Sequence, residues 1–259
     1  MQCAETQEGL LPPSRRGSKL TPLPRTQPPA MKLSVGTVIR AQAILFDMDG
    51  TLVDSTGAIE QVWSRWADRH ALSKDMVLRA IQGVRITDSV KTLAPAGADI
   101  DYEIATLISE EREQVEGITA IPGAVDFLAD LPSQSWAVVT SADRTLAIKR
   151  MQIAGIPEAP VLIAAEDVER GKPNPDGYQL ATQTLGKSAA ASIVFEDSPS
   201  GLEAGRRAGC RTIAIAAALK APPPEPQEWI EDFRTVRIEY DGDAEELALS
   251  ISSGLPSAD

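Results

Sequence analysis

Histidine and cysteine are nearly missing from this chain of 259 residues, which has one histidine, His70, and two cysteines, Cys3 and Cys210. Two cysteines exclude a disulfide framework and fit a reducing compartment. Long apolar runs are missing as well. The longest candidate, Thr212–Leu219, is strand-sized, far short of the roughly 18–20 residues that cross a membrane. Nor is there an apolar core of roughly 7–15 residues such as a secretory signal carries. Basic charge is scarce and unevenly placed. Net charge is −12, but residues 1–40 hold six Lys/Arg against two acids, leaving the other 219 residues at about −16. From Ala221 onward ten acids face two arginines. A body this acidic excludes nucleic acid and anionic membranes as partners. A phosphorylated small molecule stays admissible, because a metal ion and one or two lysines set the field locally. The composition is that of a cytoplasmic protein, and nothing in it calls for more than a monomer.

Six of the nineteen prolines fall in residues 1–40, with scattered basic residues and almost no apolar periodicity. This segment reads as a disordered tail. Arg15, Arg16 and Arg25 suit a mitochondrial leader, but Glu5, Glu8 and the prolines spoil its amphipathic helix. Met31 is an equally good start. Beyond the tail, short runs apolar on both alternations recur: Ala43–Phe46, Trp136–Thr140, Val161–Ala164, Ser192–Phe195 and Thr212–Ile215. Such runs fit strands covered on two faces. Amphipathic segments separate the later ones, at 145–154, 178–185 and 201–208, each stopped by a glycine. Strand, helix and strand in series predict a doubly wound, mostly parallel Rossmann-like α/β core. A late strand at 235–240 and a closing helix at 244–251 are expected after it. Residues 56–118 break the alternation. They show only helical spacing, as at Ile59, Val62, Trp63 and Trp66. The division expected is a core from 41–55 and 119–259, with an all-helical cap at 56–118.

The chemistry begins at Asp47-Met48-Asp49-Gly50-Thr51, directly after the first core strand. Carboxylates two residues apart point to one side of a strand, and they repel by about 4 kcal/mol at 4 Å in a dielectric near 20. Keeping both ionised calls for a divalent cation, and oxygen ligands favour magnesium. A calcium-loop reading fails, since its sixth position is Leu52 and its twelfth Ala58. Gly186-Lys187-Ser188 imitates the end of a P-loop, but the required first glycine is Ala181.

Three more polar clusters each follow a strand: Thr140-Ser141, Lys172, and Glu196-Asp197. Open α/β sheets bind ligands at such strand ends. Phosphoryl transfer needs an in-line nucleophile, positive charge on the equatorial oxygens and a proton for the leaving oxygen. Asp47 suits the nucleophile and Asp49 the acid and then the base. The Thr140 hydroxyl, the Ser141 amide and Lys172 suit the phosphoryl oxygens. Asp197, Glu196 and the Met48 carbonyl would complete a metal site with Asp47 and Asp49. Arg85, in Gly83-Val84-Arg85, could reach a substrate's distal polar group or could simply be a solvated helix-end residue. Trp63 and Trp66 suit packing, His70 an exposed helix end, and Cys210 a packed small hydrophobe.

These clusters in this order (FDMDGTLVDS, VVTSAD, GKPNPDGY and VFEDSPSGLEAGRRAG) resemble the motifs of the haloacid dehalogenase superfamily. Over about residues 42–220 the chain is similar to its β-phosphoglucomutase-like branch. Gly83-Val84-Arg85, IPGAVDFL and WAVVTSADRTLA resemble sugar phosphatases acting on 2-deoxyglucose 6-phosphate and glycerol phosphate. The resemblance implies magnesium-dependent hydrolysis of a small sugar or polyol phosphate through an aspartyl-phosphate. Asp49 departs from the dehalogenases and phosphonate hydrolases, which lack that carboxylate. The mutases of the branch carry a cap-linker histidine where this chain has Ile59. A sugar-phosphate mutase, or a partner-binding module on the same fold, are the alternatives.

Overall fold

The computed structural model describes residues 31–218, 227–242 and 245–253. From the amino end come β1 (Met31–Lys32), β2 (Val38–Ala41), β3 (Ala43–Phe46) and β4 (Val53–Asp54). Four helices follow in succession: α1 (Thr56–Arg69), α2 (Lys74–Ala80), α3 (Ile86–Leu93) and α4 (Ile100–Glu113). Next are β5 (Thr119–Ala120), α5 (Ala124–Ala129), β6 (Trp136–Val139), α6 (Arg144–Ile153), β7 (Leu162–Ile163) and α7 (Asp176–Leu185). The remainder is β8 (Ser192–Glu196), α8 (Pro199–Ala208), β9 (Arg211–Ile215), β10 (Glu228–Ile230), β11 (Val236–Asp241) and β12 (Glu246–Ile251).

Seven strands form one sheet in the order β1-β10-β9-β8-β3-β6-β7, and every neighbouring pair is parallel. Its central strands β3, β6 and β8 are buried along their whole length, as helices on both faces require. The architecture is the doubly wound α/β fold expected from the sequence. Asp143 and Ser198 cap α6 and α8 by accepting from the amides of Leu146 and Gly201. Gly186 and Gly209 end α7 and α8 in the left-handed conformation. On one face Phe46, Phe127, Phe195 and Phe233 stack or meet edge-on, with centroids 5.2–6.3 Å apart.

Helices α1–α4 pack around a separate apolar cluster that includes Val62, Trp63, Trp66, Val77, Val90 and Leu107. The antiparallel ribbon β4–β5, with Val53 opposite Ala120, ties their two ends together. His70 is half-buried rather than exposed. Its ring lies 4.7 Å from that of Trp66, and Nε2 lies 3.1 Å from the Glu103 carboxylate. Cys210 is buried, and burial pushes its thiol up to about 11.

Two expectations at the chain ends are corrected. Residues 1–30 of the expected tail lie outside the described residues, but 31–40 are ordered. β1 joins the edge of the large sheet, and β2 pairs with β12, burying Ile39 and Ala41. The closing helix expected at 244–251 is a strand. Leu247, Leu249 and Ile251 alternate inward, a period of two that a helix cannot bury on one face, and β12 sits between β11 and β2 in a three-stranded antiparallel sheet. The late strand expected at 235–240 is β11. Among the described residues no helix is long and apolar enough to cross a membrane.

Phe233 ties this carboxyl-terminal segment to the main core, since its amide donates to the Pro122 carbonyl at 3.1 Å while its ring packs on three phenylalanines. Phe233→Ala is expected to cost about 3–5 kcal/mol of unfolding free energy, as large-to-small changes in a core do. Urea denaturation checks this; a loss under about 1 kcal/mol would mean that the segment is not part of the core.

Candidate active site

Register alone brings three of the four clusters to one rim. Phe46 lies opposite both Val138 and Phe195, so the next residues, Asp47, Val139 and Glu196, share a level, and Thr140 is one step beyond. The Asp47 amide donates to the Phe195 carbonyl at 3.0 Å, extending the ladder to the nucleophile candidate itself. After Asp47 the chain must turn. The amides of Leu52 and Val53 both donate to the Met48 carbonyl at 2.9 Å, and that of Thr51 at 3.3 Å. Gly50 has φ +84°, and a Cβ there would lie 2.2 Å from an Asp197 oxygen. Only glycine lets the first loop pass this close to the last.

Lys172, on the loop before α7, donates to Asp47 Oδ1 and, at 2.6 Å, to Glu196 Oε1. The Tyr178 hydroxyl donates to the same Glu196 oxygen at 3.0 Å. The second Glu196 oxygen accepts from the amides of Asp197 and Ser198 and from the Ser198 hydroxyl, at 2.9–3.0 Å. Glu196 is fully buried and fits there because residue 201 is glycine, whose Cβ would fall 1.5 Å from its carboxylate.

Asp47, Glu196 and Asp197 each bring a carboxylate oxygen within 4.8 Å of the others. Burial and the Glu196 charge push Asp47 up to about 8, against the pull of Lys172. Burial, Glu196 and Asp47 likewise raise Asp197 well above the usual carboxylate range. Burial opposes the charge on Lys172, yet Asp47 and Glu196 hold its proton more tightly than in water. One lysine among three carboxylates leaves the cluster short of positive charge. An all-oxygen donor set with that deficit fits a hard divalent cation.

Other candidates lie elsewhere. Asp49 is outside the three-carboxylate cluster. Ser55 Oγ donates to its Oδ1 at 2.6 Å, and Arg150 Nη1 lies 3.1 Å from both of its oxygens. The Met48 carbonyl, expected among the metal ligands, is committed to three turn amides, which saturates its lone pairs. Thr140 is buried, and its Oγ1 accepts from the Ala142 amide at 3.0 Å. The Ser141 hydroxyl donates to the Gly83 carbonyl at 2.8 Å, linking the sheet to the loop after α2. Ser200 does the same with the Gln82 carbonyl at 2.8 Å.

Arg85 does not face the cavity over the carboxylates. It donates to Asp88 at 2.7 Å and to the carbonyls of Ala165, Val168 and Glu169 at 3.1–3.3 Å. It is therefore not a solvated helix-end residue, because its donors clasp the helical unit to the core. The cavity, of about 180 Å³, opens over Asp47, Asp49, Thr140 and Asp197 and is walled by helical residues including Trp63 and Ile86.

Two residues at the site went unread in the sequence. Arg150 is 1 % exposed and Glu111 is 5 % exposed. Their signal was present. Arg150 shares the buried face of α6 with Leu146, Ala147 and Met151, and Glu111 follows Leu107 by four residues on α4. A charge on the apolar stripe of a helix needs a buried partner.

The sequence model described as "Haloacid dehalogenase-like hydrolase" matches residues 44–215. The chain is 43% identical to hexitol phosphatase A of Escherichia coli (strain K12) over 188 residues, covering 71% of this chain and 87% of that one. It is 31% identical to glycerol-1-phosphate phosphohydrolase 1 of Saccharomyces cerevisiae over 85% of this chain and 94% of that one. Among solved structures, a hydrolase from Pseudomonas syringae superposes with TM-score 0.65 at 20% identity, covering 74% of this chain and 94% of that one. At that identity the likeness speaks to the fold.

If the carboxylate cluster takes magnesium, titrating the ion should raise the thermal midpoint, with about 2.7 kcal/mol of stabilisation at a hundred times the dissociation constant. Asp197→Asn should abolish the shift. An equal shift in wild type and variant would place the ion somewhere else.

Proposed function

Because the chain belongs to the haloacid dehalogenase-like hydrolases, we propose that it hydrolyses a small sugar or polyol phosphate with magnesium, through an aspartyl-phosphate on Asp47. The observation that carries this reading is the position of Asp47. It is buried at the sheet rim, fixed by Lys172, and at the floor of a cavity with room for a small ester. Phosphatases named for hexitol and glycerol phosphates, both similar over most of their length, support the substrate class.

In the first half-reaction a carboxylate oxygen of Asp47 bonds to phosphorus as the bond to the ester oxygen breaks. Asp49 gives that departing oxygen its proton. In the second half Asp49 takes a proton from water, whose oxygen bonds to phosphorus and frees Asp47 and inorganic phosphate. Lys172, already against Asp47, shares the charge of the phosphoryl oxygens, and Thr140 and the Ser141 amide bond to them. Asp47 and Asp197 would hold magnesium, which would supply further positive charge to those oxygens. Glu196 acts as the support that orients Lys172 and the Asp197 loop, since its own oxygens already accept five hydrogen bonds.

Residues 56–118 serve as a cap on a core made of residues 31–55 and the chain from Thr119 onward, with the β4–β5 ribbon as the stem between them. The contacts of Ser141 and Ser200 with Gly83 and Gln82, and the Arg85 clasp, hold the cap against the core. A closed cap excludes bulk water from the acyl phosphate and is released for product to leave.

Asp47→Asn should reduce phosphate release to background while circular dichroism stays unchanged; near-wild-type turnover would remove its role. A panel of glycerol, hexitol and hexose phosphates should yield free phosphate, whereas isomerised ester without phosphate would mean a mutase. Arg85→Ala should lower kcat/KM by a similar factor across that panel, because the clasp touches no substrate. A changed ranking of substrates would return Arg85 to the pocket.

A further inference from the structure

Below Asp49 runs a continuous chain of buried polar contacts that the reaction as described leaves unused. Trp63 Nε1 on α1 donates to Glu111 Oε1 at 2.9 Å, and Glu111 Oε2 accepts from Arg150 Nη2 at 3.0 Å. Arg150 Nη1 then reaches both oxygens of Asp49 at 3.1 Å, and the Ser55 hydroxyl closes the far side at 2.6 Å. Four segments meet here: cap helices α1 and α4, core helix α6 and the loop after β3. Arg150 is 1 % exposed. Burial disfavours the charged forms of both Arg150 and Glu111. Each offsets the other's cost, and Asp49 adds to the hold on the Arg150 proton.

We propose that Arg150 is a positioning residue for proton transfer by Asp49, and that Glu111, from the cap, fixes Arg150 in turn. The proposal rests on the reading of Asp49 as acid and base. A short carboxylate free to rotate about its last bond spends little time aimed at a leaving oxygen. One guanidinium nitrogen placed between both oxygens, with a hydroxyl on one of them, restricts that rotation. That constraint matters because general acid catalysis requires the donor within hydrogen-bond reach of the departing atom, and a displacement of about 1 Å can cost about a hundredfold. Holding α4 to α6 does not require it. Arg112 donates to Asp143 at 2.7 Å, and Lys149 donates to the Arg112 carbonyl, across the same pair of helices. An ion pair needed only for packing would also have no cause to end on the one carboxylate beside the nucleophile that lies outside the metal cluster.

The step assigned to Asp49 has a chemical signature. When the ester is an alkyl phosphate, the departing alkoxide needs a proton as its bond to phosphorus breaks. When it is p-nitrophenyl phosphate, the departing phenolate is stable without one. Misplacing the acid therefore slows phosphorylation of Asp47 by the first ester and spares the second.

The test is a pre-steady-state comparison of sorbitol 6-phosphate, glycerol phosphate and p-nitrophenyl phosphate as phosphoryl donors, in the full-length protein with magnesium. Arg150→Lys keeps the charge but cannot span Asp49 and Glu111 together; it should slow phosphorylation by the alkyl esters about 10–100-fold. Its nitrophenolate burst should stay within about threefold of wild type, with KM for all three little changed. Glu111→Gln, which keeps its size and can still accept from Trp63, should show the same split more weakly. It also serves as the second variant if Arg150→Lys folds poorly. Asp49→Asn provides the reference for a lost acid. Equal losses on both ester types, a change confined to KM, or unaltered rates in both variants would overturn the proposal. A split in Asp49→Asn without one in the variants would refute the role of Arg150 while leaving the phosphatase reading intact. Wild type failing on every ester would sink both.

Discussion

The arrangement depends on crowding carboxylates where water cannot solvate them. Asp47 and Glu196 are buried at the end of neighbouring strands, with Asp197 beside them. Burying like charges this way is costly unless each is paired and hydrogen-bonded. Much of the local structure answers that cost. Lys172 lies between two of the acids, Tyr178 and the Ser198 loop saturate Glu196, and glycines at 50 and 201 give the carboxylates the space that a Cβ would take. What protein groups leave uncompensated is the charge a cation and a phosphoryl group would meet.

A parallel sheet makes this crowding possible because its strands all end on one side, so a fixed register places residues from β3, β6 and β8 on one rim. The helical unit then covers the rim. Its attachment is polar and includes two backbone carbonyls held by serines, one arginine spread over three core carbonyls, and Arg112 paired with Asp143. Such contacts exchange readily with water, which suits the opening proposed for this cover. The Trp63–Glu111–Arg150–Asp49 chain differs, as it links that cover to Asp49, the proposed acid and base, through the buried charges of Glu111 and Arg150.

Much of this was legible in the sequence where one signal dominated. Strands buried on both faces announced themselves as unbroken apolar runs, and the polar residues after each run marked the rim. The chain ends were harder. In residues 246–251 the period-two alternation of Leu247, Leu249 and Ile251 is only three residues deep, and pairing with β11 and β2 gives it a sheet to join. The short strand 228–230, and the pairing of residues 31–32 with it, depend on an edge that the rest of the sheet provides. At the site, residue identity showed which groups were available but not where they turn. Arg85 is adjacent to the cavity in sequence terms and aimed away from it in space. Arg150 and Glu111 were visible as charges on apolar stripes, yet their meeting across 39 residues is a tertiary fact.

The central claim is that Asp47 becomes covalently phosphorylated. Quenching the enzyme in acid during turnover of an alkyl phosphate, followed by peptide mass spectrometry, tests it most directly. The account predicts a peptide heavier by one phosphoryl group, with the modification on Asp47 and discharged by hydroxylamine. Steady turnover with Asp47 unmodified at every quench time, or the label on another residue, would contradict it.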